Sequence, residues 1–275
     1  MSAAPQLTDR NALLRNRARA ARNPAFFLHE EASDEMQERL SEVNKSFQNL
    51  ALVGHISPVL TNRFPNTTAV EDAPTLHLKP ASHDLVLHFF GLHWADDPIG
   101  QLVQSRLALQ PDGLFLGVMF GGSTLQELRA CLAEVEAHLL GGLSPRVLPM
   151  ADLRDLGGLL QRAGFALPVA DSYRVTVRYR NVASLVRDLR GMGENNALAG
   201  RHKQALTRQF WQEIERIYRQ NFSDKDGFLL ASFELVYLTG WAPSESQQKP
   251  LRPGSAQTRL ADALKVPEMP LKREE

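Results

Sequence analysis

The hydrophobic and polar positions are most regular in the middle of the chain. Leu85–Phe90 is apolar except for one histidine, and Leu114–Phe120 is apolar on both faces. Asp97–Leu109 lies between them with apolar residues at helical spacing, and its first residues, Asp97 and Pro98, are typical of a helix start. Continuous apolar runs are typical of strands buried in a parallel sheet. The segment therefore predicts a strand, a crossover helix and a second parallel strand.

Two glycines and a helix start follow the second of these strands. Gly121 and Gly122 come directly after it, and Thr124 and Glu127 have the spacing of a capping box for a helix over Leu125–Leu139. Backbone N–H groups at such a helix start bind carboxylate or carbonyl groups of ligands. Gly121, Gly122 and Thr124 are therefore candidate substrate-binding residues, and plain capping is the alternative.

The chain before this unit is too short for two ordinary βα units. Leu50–Val53 is an apolar run followed by Gly54, and it predicts the first strand. Only 29 residues separate Gly54 from Asp84, whereas two helices, two strands and their connections need about 48. One unit fits, with a short helix over Pro58–Phe64 and a strand over Thr67–Val70. We therefore expect a sheet that lacks one βα unit.

The rest of the chain alternates between helical and strand periods. Leu153–Leu160 predicts a helix that ends at Gly164, and Tyr173–Tyr179 alternates apolar and polar residues, as an antiparallel strand with one wet face does. Two further helices and a final strand are predicted over Val182–Leu189, Leu206–Ile217 and Leu229–Trp241. The expected fold class is α/β, with a mostly parallel sheet and an antiparallel C-terminal hairpin.

We expect three parts along the chain. Residues 1–48 form a helical segment, residues 49–242 form the α/β domain with a helical insertion over about 181–222, and residues 243–275 form a mostly flexible tail, rich in proline, glutamine and charge. Within the first part, Asn11–Arg22 carries four arginines and no acid. Such a pattern is typical of a solvated helix face, and also of a segment that binds an anionic surface.

The composition argues against several classes of protein. Lys+Arg 31 balances Asp+Glu 31, so the basic surplus typical of nucleic-acid binding is missing, and no apolar run approaches the ~20 residues that span a bilayer. Cys131 is alone, which excludes an internal disulfide and favours a reducing cytoplasm. His83, His88 and His93 recur every five residues, on opposite faces of a strand, so no metal site is predicted.

Several stretches of the chain match a known family. They are LTDRNALLRNRARAARN, HDLVLHFFGLHW, LALQPDGLFLGVMFGGSTLQELR, GGLSPRVLPMADLRDLGGLLQRAGF, LRGMGENNAL, LTGW and RPGSA. On these residues the chain resembles class I S-adenosylmethionine-dependent methyltransferases, in the branch of the malonyl carrier-protein methyltransferases and the methyltransferase-like assembly factors of respiratory complex I. The resemblance implies a Rossmann-like three-layer sandwich, S-adenosylmethionine as cofactor, and a protein partner such as a complex I subunit. It begins at Leu7, which argues against a cleavable targeting signal and favours a bacterial cytoplasmic protein.

The cofactor motif of that family is altered in this chain. The resemblance implies an acid followed by three alternating glycines, and these positions fall on Val53, His55, Ser57 and Val59. Asp72 resembles the adenine-contact acid of the family. If Thr67–Val70 takes the place of the second strand, Glu71 or Asp72 resembles the ribose-binding acid instead, and a turn residue at a strand end is the alternative for Asp72. The candidate cofactor-binding residues are Gly54, His55, Asp72 and His88.

Polar side chains near the predicted strand ends form the candidate substrate site. His93 and Trp94 match the LHW of the family, and they would contact substrate or form an aromatic plug over the sheet edge. Arg129 lies one turn into the helix after Gly121-Gly122 and is suited to bind an acidic group. Glu194 lies in the GENN stretch after a predicted helix, where it would line the cleft or cap the helix.

Two hypotheses from different classes follow. In the first, the fold is retained as a binding module or assembly factor that has lost its cofactor, and Arg15, Arg19 and Arg22 dock its protein partner. In the second, the protein is an active methyltransferase, or an arginine hydroxylase-like enzyme, since the branch includes one. The altered glycine turn and the missing strand together favour the first hypothesis.

Overall fold

A computed structural model describes residues 6–247, Asp262 and Lys265. The helices are α1 (Arg10–Ala20), α2 (Phe27–Glu42), α3 (Pro58–Arg63), α4 (Pro98–Ala108), α5 (Gln126–Leu140), α6 (Leu153–Arg162), α7 (Val182–Met192) and α8 (Arg208–Phe222). The strands are β1 (Leu50–Gly54), β2 (Thr68–Val70), β3 (His83–Phe89), β4 (Leu109–Phe120), β5 (Ala166–Tyr179) and β6 (Leu229–Trp241). A short 3-10 helix, Leu92–Trp94, follows β3.

The chain divides into two units, Met1–Ser244 and Glu245–Glu275. All the helices and strands named above belong to the first unit. Of the second unit, the structure describes only residues 245–247, Asp262 and Lys265. The tail predicted over residues 243–275 therefore lies almost wholly outside the described residues.

The strands form one sheet with the order β2-β1-β3-β4-β6-β5. The first four run parallel to one another, and β6 runs antiparallel to both β4 and β5. This confirms the predicted α/β class, with its mostly parallel sheet and antiparallel C-terminal hairpin. One short helix, α3, and one three-residue strand, β2, fill the chain between β1 and β3. The predicted loss of one βα unit is therefore confirmed.

Helices cover both faces of the sheet because alternate residues of each parallel strand point to opposite sides. Leu85 of β3 packs in one apolar cluster with Met36 of α2 and Leu132 of α5. Its neighbour Val86 packs in a second cluster with Leu102 of α4 and with residues of α6. The result is the expected three-layer sandwich.

The start of α5 differs from the prediction. The helix begins at Gln126, and the preceding Leu125 has a left-handed backbone with φ of 55°. Thr124 and Glu127 do not form a capping box. The Thr124 hydroxyl accepts a hydrogen bond from the backbone N–H of Glu234 (3.0 Å), and the Glu127 carboxylate accepts from the N–H and hydroxyl of Ser232 (3.0 and 2.6 Å). Both side chains therefore tie α5 to β6, which a local sequence pattern does not reveal.

Candidate functional site

The carboxyl ends of β1, β2 and β3 meet at one edge of the sheet because these strands are parallel. Gly54 ends β1, Asp72 follows β2 by two residues, and Phe90 follows β3. Helix α1 lies against this edge, with Leu13 packed in a cluster with Trp94 and the Arg17 side chain reaching Asp72. Open α/β sheets bind their ligands at this edge. The four predicted cofactor residues are all found here or on the strand beside it.

Asp72 is buried in an ion pair with α1. Arg17 donates from Nη1 to Oδ1 (2.6 Å) and from Nη2 to Oδ2 (3.1 Å), and Arg10 donates from Nη2 to Oδ1 (3.3 Å). Arg17 Nη2 also donates to the carbonyl of Phe90 (3.2 Å). Burial alone would raise the pKa of the Asp72 carboxyl, but the two guanidinium groups hold that pKa well below its usual range. The carboxylate is therefore charged, and it is shared by two arginines.

Aromatic rings fill the space beside the loop after β1. Phe26, His29, His55 and Phe90 form what we call the aromatic cluster, in which the His29 ring lies 5.4 Å from that of His55 and 4.6 Å from that of Phe90. Burial lowers the pKa of His29 to about 3 and is the main cause that lowers the pKa of His55 to about 4. Both rings are therefore neutral near pH 7 and act as packing groups.

The close approach of β1 and β3 explains Gly54. Its φ of 123° belongs to the left-handed region, and a Cβ added there would lie 1.9 Å from the carbonyl oxygen of Phe89. Glycine is therefore required by the sheet itself, whether or not a ligand is bound.

His88 also has a structural partner. Its Nε2 lies 3.1 Å from Oε1 of Gln101, whose amide donates to the carbonyls of Asp72 (3.2 Å) and Ala73 (3.1 Å). The amide is already a donor, so the His88 ring must donate from Nε2. Burial lowers the pKa of His88 to about 4. The pair links α4 to the segment after β2.

A cavity of about 640 Å³ lies at the carboxyl end of β4, between α5, α7 and the start of α8. Trp94, Thr124 and Glu194, three of the predicted substrate residues, line it. Gly54, His55, Asp72 and His88 do not line this cavity. Three of the seven predicted substrate residues thus adjoin the cavity, and the four predicted cofactor residues do not.

Glu194 is held on the cavity wall by two donors. Its Oε2 accepts from Nε1 of Trp94 (2.8 Å) and lies 3.1 Å from Nε2 of His93, while its Oε1 is buried and has no hydrogen-bond partner among the residues described. Burial alone would raise the pKa of the Glu194 carboxyl, but His93 and then Arg17 outweigh it and hold that pKa below its usual value. His93 and Trp94 thus hold one charged carboxylate beside the cavity, and its Oε1 is shielded from solvent.

Gly121, Gly122 and Arg129 do not line this cavity. A Cβ on Gly121 would lie 2.7 Å from side-chain atoms of β6, so close packing accounts for this glycine. Arg129 donates to the carbonyls of Gly122 (3.3 Å), Thr124 (3.3 Å) and Leu148 (3.4 Å). Arg129 therefore clamps two loops around the start of α5, and Gly122 provides one of the clamped carbonyls.

The sequence interpretation missed several residues that form these two regions. Arg17 and His29 come from the N-terminal helices, and Trp211 and Phe233 line the cavity from α8 and β6. Within residues 6–247 no helix is long and apolar enough to cross a membrane. No group of three or more His, Cys, Asp or Glu side chains in the described part is arranged to hold a metal ion.

The chain is similar to known proteins in sequence and in structure. No protein-family model matches the chain. Arginine-hydroxylase NDUFAF5, mitochondrial, of Danio rerio is 38% identical over 206 residues, which are 75% of this chain and 64% of that protein. Malonyl-[acyl-carrier protein] O-methyltransferase of Laribacter hongkongensis is 35% identical over 183 residues, which are 66% of this chain and 59% of that protein. The chain belongs to the branch of the class I methyltransferase superfamily that contains these relatives.

This methyltransferase branch includes proteins with different named activities, a hydroxylase and an O-methyltransferase. The chain spans less than two thirds of the length of either relative. Among solved structures, the YcgJ protein of Bacillus subtilis matches with a TM-score of 0.48 and 12% identity, over 78% of this chain and 99% of that chain. The sequence relatives confirm the predicted family.

Proposed function

We propose that this protein is a methyltransferase-like binding protein that does not use S-adenosylmethionine and that acts on a protein partner in the assembly of respiratory complex I. The observation that carries the proposal is the ion pair at the end of β2, where Arg17 and Arg10 share the Asp72 carboxylate. Asp72 is the candidate cofactor acid. Its hydrogen-bonding oxygens are already occupied.

The energetics of that ion pair oppose cofactor binding. An adenosyl group on Asp72 would displace Arg17 and leave a guanidinium buried without its counter-charge. Breaking a buried pair in this way costs about 3–5 kcal/mol, whereas a micromolar ligand has only about 8 kcal/mol of binding free energy in total. Displacing Arg17 would therefore cost about half of the binding free energy of a micromolar cofactor.

The surroundings of Asp72 also do not fit the cofactor. The loop after β1 has His55 and Ser57 where the family motif has glycines, so its backbone cannot approach a ligand as closely. The aromatic cluster occupies the space beside that loop. We therefore derive no chemical step through S-adenosylmethionine.

A thermal shift experiment tests this proposal. We expect neither S-adenosylmethionine nor S-adenosylhomocysteine, at about 100 times a typical dissociation constant, to change the melting temperature. A true binder would gain about 2.7 kcal/mol and melt about 5 °C higher, and a malonyl carrier-protein methyltransferase serves as the positive control. A shift of that size in the wild type would overturn the proposal, and its loss in Asp72→Ala would identify Asp72 as a ligand.

An active enzyme of the same branch is the alternative. The observation that favours it is the charged Glu194 carboxylate among the residues that line the cavity of about 640 Å³. A carboxylate held by His93 and Trp94 has the chemistry to orient a bound substrate by accepting a hydrogen bond. The thermal shift experiment separates the cofactor-dependent form of this alternative from the binding protein.

The partner and the compartment belong to the same proposal. Arg15 and Arg19 of α1 and Arg22, just beyond its end, are exposed, and they would bind an acidic surface of a complex I subunit. We place the protein in a bacterial cytoplasm, which suits the lone Cys131, a buried free thiol whose pKa is raised to about 12 by burial. The Danio rerio relative, in contrast, is named as mitochondrial.

A further inference from the structure

The cavity beside Glu194 is strongly cationic in a chain without net charge. Glu194 is its only acidic lining residue in the described part, whereas five cationic residues line it, Arg19, Arg146, Arg190, Arg201 and Lys203. The whole chain carries 31 basic and 31 acidic residues. A cleft with one sign of charge concentrates ligands of the opposite sign. The lining therefore selects an anion.

Three of these cations are available to a ligand. Two of the five are paired with acids of the protein at 2.7 and 2.8 Å. The other three, Arg19, Arg190 and Lys203, are exposed and make no ion pair within residues 6–247. Exposed lining residues lie at the mouth of a cavity, so the unpaired positive charge is concentrated there.

Most of the buried side chains that line the cavity are apolar. Phe120, Leu128, Leu132 and Phe233 line it and are buried, and Trp211 of α8 lines it with partial exposure. A volume of about 640 Å³ is in the usual range for small-molecule sites. The cavity thus combines an apolar interior with a cationic mouth.

We propose that this cavity binds an amphipathic monocarboxylate, with its alkyl chain in the apolar interior and its carboxylate among Arg19, Arg190 and Lys203. Glu194 fixes the direction of binding. Its buried carboxylate lies on the cavity wall, bound to Trp94, and it repels an anionic head from the interior. The site is separate from the edge that holds Asp72, and it requires no S-adenosylmethionine.

Dodecanoate binding, measured by calorimetry and by tryptophan fluorescence, tests this inference. We expect one dodecanoate per chain and a change in emission that is reduced in Trp211→Phe, since Trp94 also lines the cavity. Butanoate has the same charge without the chain, and dodecyltrimethylammonium has the chain with the opposite charge. Each should bind at least about tenfold more weakly. Equal binding of either probe would overturn the inference, as would no binding of dodecanoate.

A matched pair of variants tests the cationic mouth. Arg190→Glu combined with Arg19→Glu should weaken dodecanoate binding about tenfold, because two exposed attractions become repulsions. Arg187→Glu reverses an exposed charge on the same helix, outside the cavity, and should leave binding unchanged. If the double variant and the wild type bind dodecanoate with equal affinity and melt at the same temperature, dodecanoate partitions into an apolar cavity without a cationic site. That result would overturn the inference. The assay contains neither S-adenosylmethionine nor a protein partner, so its result is independent of the proposed function.

Discussion

At the scale of single residues, the side chains of Arg17 and Asp72 compensate each other's buried charge. Both side chains are at least nine-tenths buried, and the two-pronged contact between them has donor–acceptor distances of 2.6 and 3.1 Å. Removing one member of a buried pair leaves an uncompensated charge, whereas replacing both with apolar groups is often close to neutral. The pair therefore has a distinctive mutational signature.

We expect Asp72→Ala to lower the free energy of unfolding by about 3 kcal/mol, because Arg17 then remains charged and buried. Arg17→Met should be milder, since Arg10 still pairs with Asp72. The double variant should be closer to the wild type than the sum of the single effects predicts, and urea denaturation of all four proteins measures the difference. Additive effects would contradict a buried, mutually compensating pair.

The sequence predicted one half of this pair. Asp72 was identified as a candidate cofactor acid from its position after a strand, but Arg17 was grouped with the other arginines of its helix. Helical periodicity does indicate that Arg17 is buried. It lies four residues after Leu13 and three before Ala20, and all three residues are on the buried face of α1. Pairing across 55 residues of chain is a tertiary event, and helical periodicity does not determine it.

At the scale of elements, α1 has two faces with different roles. Its buried face carries Leu13 and Arg17 against the sheet edge, and its other face exposes Arg15 and Arg19, with Arg22 just beyond the helix end. Surface arginines that are not needed for folding are free to bind a partner.

We expect Arg15, Arg19 and Arg22, replaced together by glutamate, to abolish co-purification of complex I subunits without lowering the melting temperature by more than about 2 °C. The matched control replaces Arg154, Arg162 and Arg187, which are exposed on other helices, by glutamate. Affinity purification followed by mass spectrometry compares the two variants. Retention of the same subunits by the α1 variant, or their loss from the control, would contradict docking through α1.

Helices and strands were predictable from the sequence where a single local pattern determines them. Leu85–Phe90 and Leu114–Phe120 were identified as buried parallel strands because both faces are covered, and a continuous apolar run indicates this directly. The prediction for the start of α5 was wrong because Thr124 and Glu127 have the spacing of a capping box and yet form hydrogen bonds to β6, more than one hundred residues later in the chain. The cavity was not predictable either, since α5, α7 and α8 form it together.

At the scale of the whole molecule, three buried histidines make stability depend on pH. The folded-state pKa is about 3 for His29 and about 4 for His55 and His88, against about 6.5 in an unfolded chain. Below pH 6.5 the unfolded chain therefore binds protons that the folded chain excludes. Stability is fully present above pH 6.5 and is lost as the pH falls toward 4.

We expect the free energy of unfolding to fall by about 4 kcal/mol between pH 7.5 and pH 5.5. His29 has no hydrogen-bond partner on either ring nitrogen among the described residues, so His29→Leu should reduce this loss by about a third. His138→Leu, at an exposed histidine, is the control and should leave the loss unchanged. Urea denaturation at the two pH values measures each difference, and a pH-independent wild type would contradict buried neutral rings.

The number of strands in the sheet was predictable from a count of residues. Twenty-nine residues between Gly54 and Asp84 hold one βα unit, and the sheet accordingly has six strands in its described part. The same count does not predict which residues fill the sheet edge beside the missing unit. That edge is covered by α1 and α2, which precede β1 in the chain.

The bond between Arg17 and Asp72 also has a consequence for descent. Losing Asp72 alone leaves the buried Arg17 without its main counter-charge, whereas losing both residues together removes both buried charges. We therefore expect the two positions to vary together among related sequences.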